Sequence, residues 1–227
     1  MIDYRLGKLD ERGVIHGDWL DLGCADGYWS IALAERGAGS VVGMEPIQER
    51  VDGAQSRPHP PSVSFGVGNS EKLPFPDGSF DGVLLNEVLE HVENEEATLR
   101  EIARVLRPGG YLALFSPNRW FPFEGHGARW SADRSFSHPV PLMPWLPARF
   151  SRRFASARNY WPRDLRRLVT DAGMEVSESG WALIQFAQYP WLPARAISSY
   201  RRNLARIERS PFARFVAVSV FVLARAR

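Results

Sequence analysis

A pair of glycines in the stretch Asp21-Leu-Gly-Cys-Ala-Asp-Gly-Tyr28 is the first feature of the sequence that suggests chemistry. The stretch follows an apolar run and precedes a helical one, so it predicts a strand-to-helix turn whose backbone can approach a ligand closely. A dinucleotide-binding loop has the pattern Gly-x-Gly-x-x-Gly, but Ala25 and Tyr28 occupy the positions of its second and third glycines. Those glycines make room for a diphosphate and for close helix packing. The turn therefore favours a nucleotide ligand that carries no diphosphate.

A carboxylate follows this turn at the distance that a nucleotide site requires. Glu45 ends the apolar run Ser40–Glu45, about 20 residues beyond the turn, where it can accept hydrogen bonds from the hydroxyls of a ribose. S-adenosylmethionine (SAM) has such a ribose and no diphosphate, because its adenosine is joined through a sulfonium to an amino acid. SAM is therefore a ligand that would fit the turn and Glu45, and S-adenosylhomocysteine (SAH) would be its product.

The elements that would position these residues alternate between short apolar runs and helical stretches. Apolar runs predict strands at 19–22, 40–45, 62–67, 80–86, 111–116, 174–184 and 215–223. Helical patterns are found at 28–35, 94–106 and 161–172, with a basic helix around 198–209. Pro108-Gly109-Gly110 is expected to separate the second helix from the fifth strand. Such alternation predicts an α/β fold with a parallel sheet and helices on both faces.

From Trp19 to Asn118 the sequence resembles the class I SAM-dependent methyltransferases, in particular the small-molecule, type 11-like group. The matching segments are DLGCADG (21–27), VVGMEP (41–46), GNSEKLPFPDGSFDGV (68–83), NEVLEHV (86–92) and LRPGGYLALFSPN (106–118). The resemblance implies a Rossmann-like, doubly wound seven-stranded sheet, mostly parallel with an antiparallel last strand, plus an inserted cap. The expected organisation is one domain over 1–227, with a SAM-binding core at about 14–118, a cap at about 119–160, and a C-terminal helix and closing strands over 161–227.

The resemblance also implies which residues bind the cofactor. It assigns the turn 23–27 to the methionine moiety and Glu45 to the ribose. It assigns Asn69 and Ser70 to the adenine edge, and Asn86 to the floor beside the methionine end. The full expected set is Asp21, Gly23, Cys24, Ala25, Gly27, Glu45, Pro46, Asn69, Ser70, Glu71, Asn86, Glu87 and His91.

Two members of this set depart from the family pattern. Ala25 stands where glycine is commoner, and Asn69 stands where aspartate is frequent. Alanine is a small change, and the carbonyl of an asparagine can still accept a hydrogen bond from the adenine amino group. We therefore expect both departures to be compatible with SAM binding.

The insert after the fifth strand is expected to supply the acceptor site. Methyl transfer from a sulfonium is a direct displacement, so the enzyme mainly aligns the reactants. A hydroxyl acceptor would also need a general base, for which His126, between two glycines, is the first candidate, followed by His138 and His91. The insert is rich in Trp, Phe and Pro, which favours an apolar acceptor. The residues expected to contact it are Trp120, Phe121, Phe123, Arg149 and Tyr160.

Glu87, Glu90 and His91 form a Glu-x-x-Glu-His pattern, which on a helix would place three possible metal ligands on one face. The pattern resembles the metal site of ubiquinone-pathway O-methyltransferases and of small-RNA 3′-end 2′-O-methyltransferases. Many methyltransferases use a similar stretch only to line the cofactor pocket. We therefore expect no metal, with these three residues as the ligands if one is used.

Composition and charge limit the class of protein. Hydrophobic residues make up 44% of the 227 residues and charged residues 24%, as in soluble globular proteins. The first ten residues show no signal-peptide pattern, the longest apolar run has nine residues against the ~20 that span a bilayer, and the single cysteine excludes an internal disulfide. These features predict a cytoplasmic monomer or homodimer, without stable membrane insertion.

Charge is distributed unevenly, with a net of −7 over residues 1–150 and +9 over residues 151–227.

The expected reaction is O-methylation of a small apolar, lipid-linked or sugar-linked metabolite, such as one of secondary metabolism. The basic C-terminal third leaves an RNA methyltransferase as an alternative, although a nucleic-acid partner is not the expected one. A non-catalytic SAM-binding subunit is the other alternative.

Overall fold

The computed structural model describes residues 1–125, 128–131, 134–136, 140–147, 154, 157–185 and 193–227. Its strands are β1 Asp18–Leu22, β2 Ser40–Glu45, β3 Val63–Val67, β4 Phe80–Asn86, β5 Leu106–Pro117, β6 Phe123–Glu124, β7 Ala128–Ser131, β8 Arg134–Phe136, β9 Val140–Pro141, β10 Met174–Leu183 and β11 Ala217–Ala226. Its α-helices are α1 Ile2–Asp10, α2 Tyr28–Glu35, α3 Gln48–Ser56, α4 Glu95–Val105, α5 Pro162–Asp171, α6 Ala194–Arg202, α7 Leu204–Glu208 and α8 Ala213–Val216. A short 3₁₀ helix spans Met143–Trp145.

Within this described part of the chain, seven strands form one sheet in the order β10-β11-β5-β4-β1-β2-β3. β1 lies between β2 and β4 and pairs in parallel with both. Leu20 of β1 and Leu84 of β4 are fully buried, as are the residues beside them, because helices cover both faces of a parallel sheet. The predicted α/β fold with a doubly wound, mostly parallel sheet is confirmed.

The last strand, β11, runs antiparallel to its two neighbours. Against β5, Asn118 bonds to Val218 at one end while Tyr111 bonds to Arg225 at the other. Against β10, the Ile184 amide bonds to the carbonyl of Val216, and further along the Ser177 hydroxyl bonds to that of Leu223. In both pairs the numbering rises in one strand as it falls in the other, so the predicted antiparallel strand is confirmed.

Helix α4 shows how the local sequence determines an element. Asn94 caps its N-terminus by accepting a hydrogen bond from the Ala97 amide at 3.0 Å, a favoured use of asparagine. Leu99, Ile102 and Val105 form its buried face, at the spacing expected for an amphipathic helix. The helix ends at Val105, and strand β5 begins directly after it at Leu106, whereas the sequence predicts its start at Tyr111.

Strand β5 therefore includes Pro108-Gly109-Gly110. The sequence predicts instead that these three residues separate the helix from the strand. Gly109 adopts a φ of +82°, and the pairing with β4 shifts register between the partners of Phe80 and Gly82. A bulge of this kind accommodates extra residues inside a strand. The closing strand also differs, because Phe215 and Val216 belong to α8 and the strand runs from Ala217 to Ala226.

The chain divides into two compact units. The first comprises residues 1–115, 165–179 and 222–227, and the second comprises residues 116–164 and 180–221. In the first unit, α1 buries Leu6 and Leu9 completely, although the sequence had indicated no helix there. In the second, β6 pairs with β9 and β7 pairs with β8. None of the helices in the described ranges has the length and apolarity that crossing a bilayer requires.

Candidate functional site

The turn after β1 passes through two glycines in the left-handed region. Gly23 has a φ of +81° and Gly27 a φ of +80°, which residues with a Cβ rarely adopt. A Cβ added to Gly23 would lie 2.3 Å from a methyl carbon of Val88, and one added to Gly27 would lie 2.6 Å from the ring of Phe65. Both positions therefore require glycine for the backbone conformation and for the close approach of a neighbouring side chain.

Ala25, between these glycines, is also left-handed, with a φ of +46°. A left-handed conformation accounts for the preference for glycine at this position. Tyr28, which had been compared with the third glycine of a dinucleotide loop, is 53% exposed. The guanidinium carbon of Arg57 lies 3.7 Å from the centre of its ring. The close packing of helix α2 takes place one residue earlier, at Gly27, so Tyr28 does not obstruct it.

Asp21 and Cys24 lie beneath the turn, 2% exposed each. The Ser30 hydroxyl donates to Asp21 Oδ2 at 2.6 Å. Burial raises the pKa of Asp21 to about 7, against the opposing effect of the Ser30 hydrogen bonds. Burial, followed by the charge of Asp21, raises the pKa of the Cys24 thiol. Such a thiol stays protonated at neutral pH, which suits a packing role better than nucleophilic chemistry.

Glu45 ends β2 beside this turn and is 4% exposed. Its Oε2 accepts a hydrogen bond from the Ala25 amide at 3.2 Å, and its Oε1 lies 3.9 Å from Nη1 of Arg50 in α3. Pro46 and Ile47 follow it, both exposed. Ile47, which the sequence analysis did not select, presents an apolar side chain to solvent directly after a strand end. The carboxylate is thus held between the glycine turn and the start of α3.

The segment after β3 lies next to Glu45, since the Gly68 amide donates to the Glu45 carbonyl at 3.2 Å. Asn69 Oδ1 accepts from the Glu71 amide at 2.8 Å. Ser70 Oγ lies 3.1 Å from Thr98 Oγ1 in α4. The Glu71 carboxylate in turn accepts from an α4 N-terminal amide, that of Asn94, at 2.8 Å. Hydrogen bonds therefore fix the loop that had been predicted to hold the adenine edge.

Asn86 ends β4, and an arginine from the first helix reaches it. Arg5 is 2% exposed; its Nη1 donates to Asn86 Oδ1, and its Nη2 lies 2.7 Å from Glu87 Oε1. Its guanidinium carbon lies 5.0 Å from the centre of the Phe115 ring. The amino-acid sequence alone does not point to Arg5, because no spacing or motif connects it with residues 81 positions later.

The Glu87-x-x-Glu90-His91 pattern does not form the helix that would put its side chains on one face. Residues 87–92 form bends and turns, and Glu87 has a φ of +56°. Glu90 is buried whereas His91 is exposed. Burial, followed by the nearby Glu87 charge, raises the pKa of Glu90 well above its usual range. Within the described ranges, no three His, Cys, Asp or Glu side chains are grouped so as to hold a metal ion.

These residues share one edge of the sheet. Glu45 ends β2, Asn86 ends β4 and the glycine turn follows β1, so all three lie at carboxyl ends of parallel strands. The chain passes from β1 outward to β2 and β3, then returns to β4 on the other side of β1. Ligands of open α/β sheets bind at such a point, where the strand order reverses. The first unit therefore has the geometry of a nucleotide-type site at this edge.

The aromatic residues predicted to contact an acceptor belong to the second unit. Trp120 packs edge-on against Trp161 and Phe215, with ring centres 4.9 and 5.6 Å apart. Phe121 lies against Phe123, with ring centres 5.7 Å apart, and Phe123 is 43% exposed.

Among the remaining residues predicted for the acceptor site or as bases in the insert, the structure describes Tyr160. Tyr160 is buried, and its backbone pairs with Pro117 and Arg119. Glu124, the residue after Phe123 in β6, is also buried and accepts a hydrogen bond from Asn159. His126, His138 and Arg149 lie outside the described residues.

Comparison with known proteins bears on this site. Residues 20–114 match the family model of a methyltransferase domain. The demethylmenaquinone methyltransferase of Beutenbergia cavernae is 38% identical over 124 residues, covering 53% of this chain and 50% of that protein. The 27-O-demethylrifamycin SV methyltransferase of Amycolatopsis mediterranei is 37% identical over 99 residues, covering 42% of this chain and 36% of that protein. The chain thus spans half or less of the length of these curated relatives.

The fold has solved counterparts over its whole length. A SAM-dependent methyltransferase from Mesorhizobium loti superposes with a TM-score of 0.65 at 16% identity, covering 99% of this chain and 100% of that one. At this identity the likeness concerns the fold, whereas the family model matches the segment that contains the glycine turn, Glu45 and Asn86. Residues 20–114 are therefore similar to a methyltransferase domain, and the chain shares the fold of class I SAM-dependent methyltransferases; S-adenosylmethionine is the cofactor that these matches support.

Proposed function

We propose that this protein transfers the methyl group of SAM to a hydroxyl oxygen of a small, largely apolar metabolite. The observation that carries the proposal is the hydrogen bond of 3.2 Å between the Ala25 amide and Glu45 Oε2. It joins the glycine turn and the strand-end carboxylate into one frame at the switch point of the sheet. A nucleoside donor whose ribose carries an amino-acid chain matches a frame of this kind.

In this proposal each part of the donor has its own residues. The turn from Gly23 to Gly27 binds the methionine moiety at the N-terminus of α2, where the helix dipole favours a carboxylate. Glu45 accepts the ribose hydroxyls. The loop of Asn69 and Ser70 meets the adenine edge, and Asn86 lies beside the methionine end.

The residues present also fit the chemistry. Bound SAM would supply a methyl group on a positively charged sulfur. The acceptor oxygen bonds to the methyl carbon as the carbon–sulfur bond breaks, and SAH is the leaving group. The protein's contribution is then to hold the donor, exclude water and remove a proton from a hydroxyl acceptor. Cys24, which is buried with a raised pKa, is unsuited to a covalent route through a cysteine. We assign proton removal to His126, with His138 as the next candidate.

The acceptor class rests on the second unit and on the relatives. Trp120, Phe121 and Phe123 provide aromatic surface that suits an apolar acceptor. Two of the relatives are named for demethylmenaquinone and for 27-O-demethylrifamycin SV. Both are small organic molecules. We propose an acceptor of this general size, with an oxygen as the methylated atom.

A second function, methylation of RNA, is favoured by one observation. Helices α6 and α7 have no buried residue and carry four arginines, as a surface for phosphate backbones would. The two functions differ in the acceptor alone. Transfer of label from SAM to total RNA, abolished by ribonuclease, would favour RNA over a small molecule.

Calorimetric titration of the protein with SAH, and separately with NAD, tests the donor. We expect SAH to bind and NAD not to bind, because the turn lacks the room that a diphosphate needs. Binding of NAD alone would overturn the proposal. Label transfer from methyl-labelled SAM to a panel of phenols, quinols and aliphatic alcohols then tests the acceptor. SAH binding without transfer to any acceptor, RNA included, would favour a non-catalytic subunit.

A further inference from the structure

Arg5 is a buried cation that the proposed function has not used. Its side chain has three contacts at the end of β4: a hydrogen bond to Asn86 Oδ1, an ion pair of 2.7 Å with Glu87, and the face of the Phe115 ring. A side chain held from three directions, and 2% exposed, has little freedom to rotate. Arg5 is therefore a fixed donor beside the candidate site.

The contact with Asn86 determines how the amide of that residue is turned. A guanidinium donates hydrogen bonds and accepts none, so the Asn86 oxygen must be the atom that faces Arg5. The amide nitrogen Nδ2 then lies on the side away from Arg5. No hydrogen-bond partner for Nδ2 is found among the described residues, and Asn86 is half-buried. In the part of the chain that the structure describes, two N–H groups are thus fixed in direction and available to a ligand.

These N–H groups lie next to the glycine turn. Leu85 pairs in register with Leu22, the residue before Gly23. Val88 lies so close to Gly23 that an added Cβ would collide with it at 2.3 Å. Asn86 therefore adjoins the part of the site to which the proposed function assigns the methionine moiety.

We propose that Arg5 is a positioning residue of the donor site: it orients the amide of Asn86 so that Nδ2 donates to the α-carboxylate of the methionine moiety. The inference rests on the proposed function, since it concerns the same site. Of the two charged groups on that moiety, the ammonium is a donor and would meet a second donor in Nδ2. The carboxylate is an acceptor and matches it. The first helix thereby becomes part of donor recognition.

The test compares two ligands that differ in this moiety alone. SAH carries the amino acid, whereas 5′-methylthioadenosine has the same nucleoside and thioether sulfur without it. Calorimetric titration of wild type and Arg5→Gln with both ligands separates recognition of the amino acid from general damage to the site. We expect Arg5→Gln to weaken SAH binding at least about tenfold, as for a lost hydrogen bond to a charged group. Binding of methylthioadenosine should stay within about twofold of wild type.

Asn86→Asp provides a test that leaves Arg5 in place. The new carboxylate can still accept from Arg5, but it presents an oxygen where Nδ2 stood and repels the α-carboxylate. We expect it to weaken SAH binding more than Arg5→Gln does, again without affecting methylthioadenosine. Arg5→Lys keeps a cation that can donate but not accept a hydrogen bond, whereas glutamine can do both, so Arg5→Lys should restore part of the SAH affinity. Arg12→Gln is the matched control, because Arg12 follows the same helix but pairs with Glu178, and both affinities should be unchanged.

Three results would overturn the inference. Equal weakening of both ligands by Arg5→Gln and Asn86→Asp would show a general structural role. Unchanged SAH affinity in Asn86→Asp would remove Nδ2 from recognition of the carboxylate. A wild-type protein that binds neither ligand would refute the proposed function itself, and this inference with it.

Discussion

The backbone amide of Ala25 and the carboxylate of Glu45 are joined by a hydrogen bond of 3.2 Å. The bond connects a turn after the first strand with the end of the second, across 20 residues of sequence. Both sides are constrained, because Ala25 has a left-handed φ and Glu45 is 4% exposed. Glu45 thus has two roles that can be separated: it supports the turn and, in the proposed function, it binds the ribose.

Substitution of Glu45 should separate these two roles. Glu45→Gln keeps an oxygen for the Ala25 amide but loses the charge, so we expect SAH affinity to fall about tenfold with little change in stability. Glu45→Ala loses both, and we expect a fall of about a hundredfold. Titration with SAH and thermal unfolding measure the two effects. Glu49→Gln, at an exposed carboxylate in α3, is the control, and equal affinities for Glu45→Gln and wild type would contradict the ribose assignment.

Alanine should be tolerated less well at Gly27 than at Gly109, a glycine with nearly the same φ. Gly27 and Gly109 have φ values of +80° and +82°, so alanine costs each about 1–2 kcal/mol in backbone strain. At Gly109 no atom lies within 4 Å of the added Cβ, whereas at Gly27 the Phe65 ring lies at 2.6 Å. We expect Gly27→Ala to lose at least about 1 kcal/mol more than Gly109→Ala in urea unfolding. Equal losses would mean that the Phe65 contact relaxes without cost.

Asp21 should make the stability of the fold depend on pH. Its pKa is about 7 in the folded protein against an ordinary value of 3.8, so between these values the folded state keeps a proton that the unfolded state has lost. The free energy of unfolding must then fall as pH rises, by up to about 1.4 kcal/mol per pH unit from this group.

Asp21→Asn mimics the protonated form and removes this dependence. We expect the stability of wild type, relative to Asp21→Asn, to decline from pH 4 to pH 7 and to level off above that. Urea unfolding across this range measures it, with Asp52→Asn, at an exposed aspartate, as the control. Parallel curves for wild type and Asp21→Asn would contradict a raised pKa.

Glu87 and Glu90 should respond differently to glutamine. Burial raises the pKa of Glu90 well above its usual range, which favours the protonated carboxyl that glutamine resembles. We expect Glu90→Gln to change stability by less than about 1 kcal/mol. Glu87→Gln removes the carboxylate that forms an ion pair with the buried Arg5, and we expect a loss of about 2 kcal/mol, since Glu87 is partly exposed. If Glu90→Gln proves as costly as Glu87→Gln in urea unfolding, Glu90 is ionised.

His126 should affect turnover without affecting the donor. If it removes the proton from a hydroxyl acceptor, His126→Ala should lower kcat by a factor of about 10²–10⁴ and leave SAH affinity unchanged. The control is His16→Ala, an exposed histidine before β1, which should change neither quantity. Unaltered turnover in His126→Ala would transfer the role to His138 or show that no base is needed.

The residues of the candidate site differ in how far the sequence could predict their place. The turn 21–27 and Glu45 follow strands whose apolar runs are legible locally, and the carboxyl ends of adjacent parallel strands meet at one edge. The sequence could therefore predict that they lie together. It could not predict the conformation of residues 87–92, because a helical spacing of charges is compatible with a turn that long-range packing stabilises.

The alternation of strands and helices, the glycines at the first turn and the acidic residue at the end of the second strand can be predicted from the amino-acid order, because each depends on neighbours a few positions away. The hydrogen bond from Arg5 to Asn86, the burial of Asp21 against Ser30, and the close helix packing at Gly27 rather than Tyr28 are visible only in the folded chain. These contacts join distant segments or depend on the depth of burial. The spacing of neighbouring residues encodes neither the long-range contacts nor the burial, since both arise from how the helices pack on the sheet.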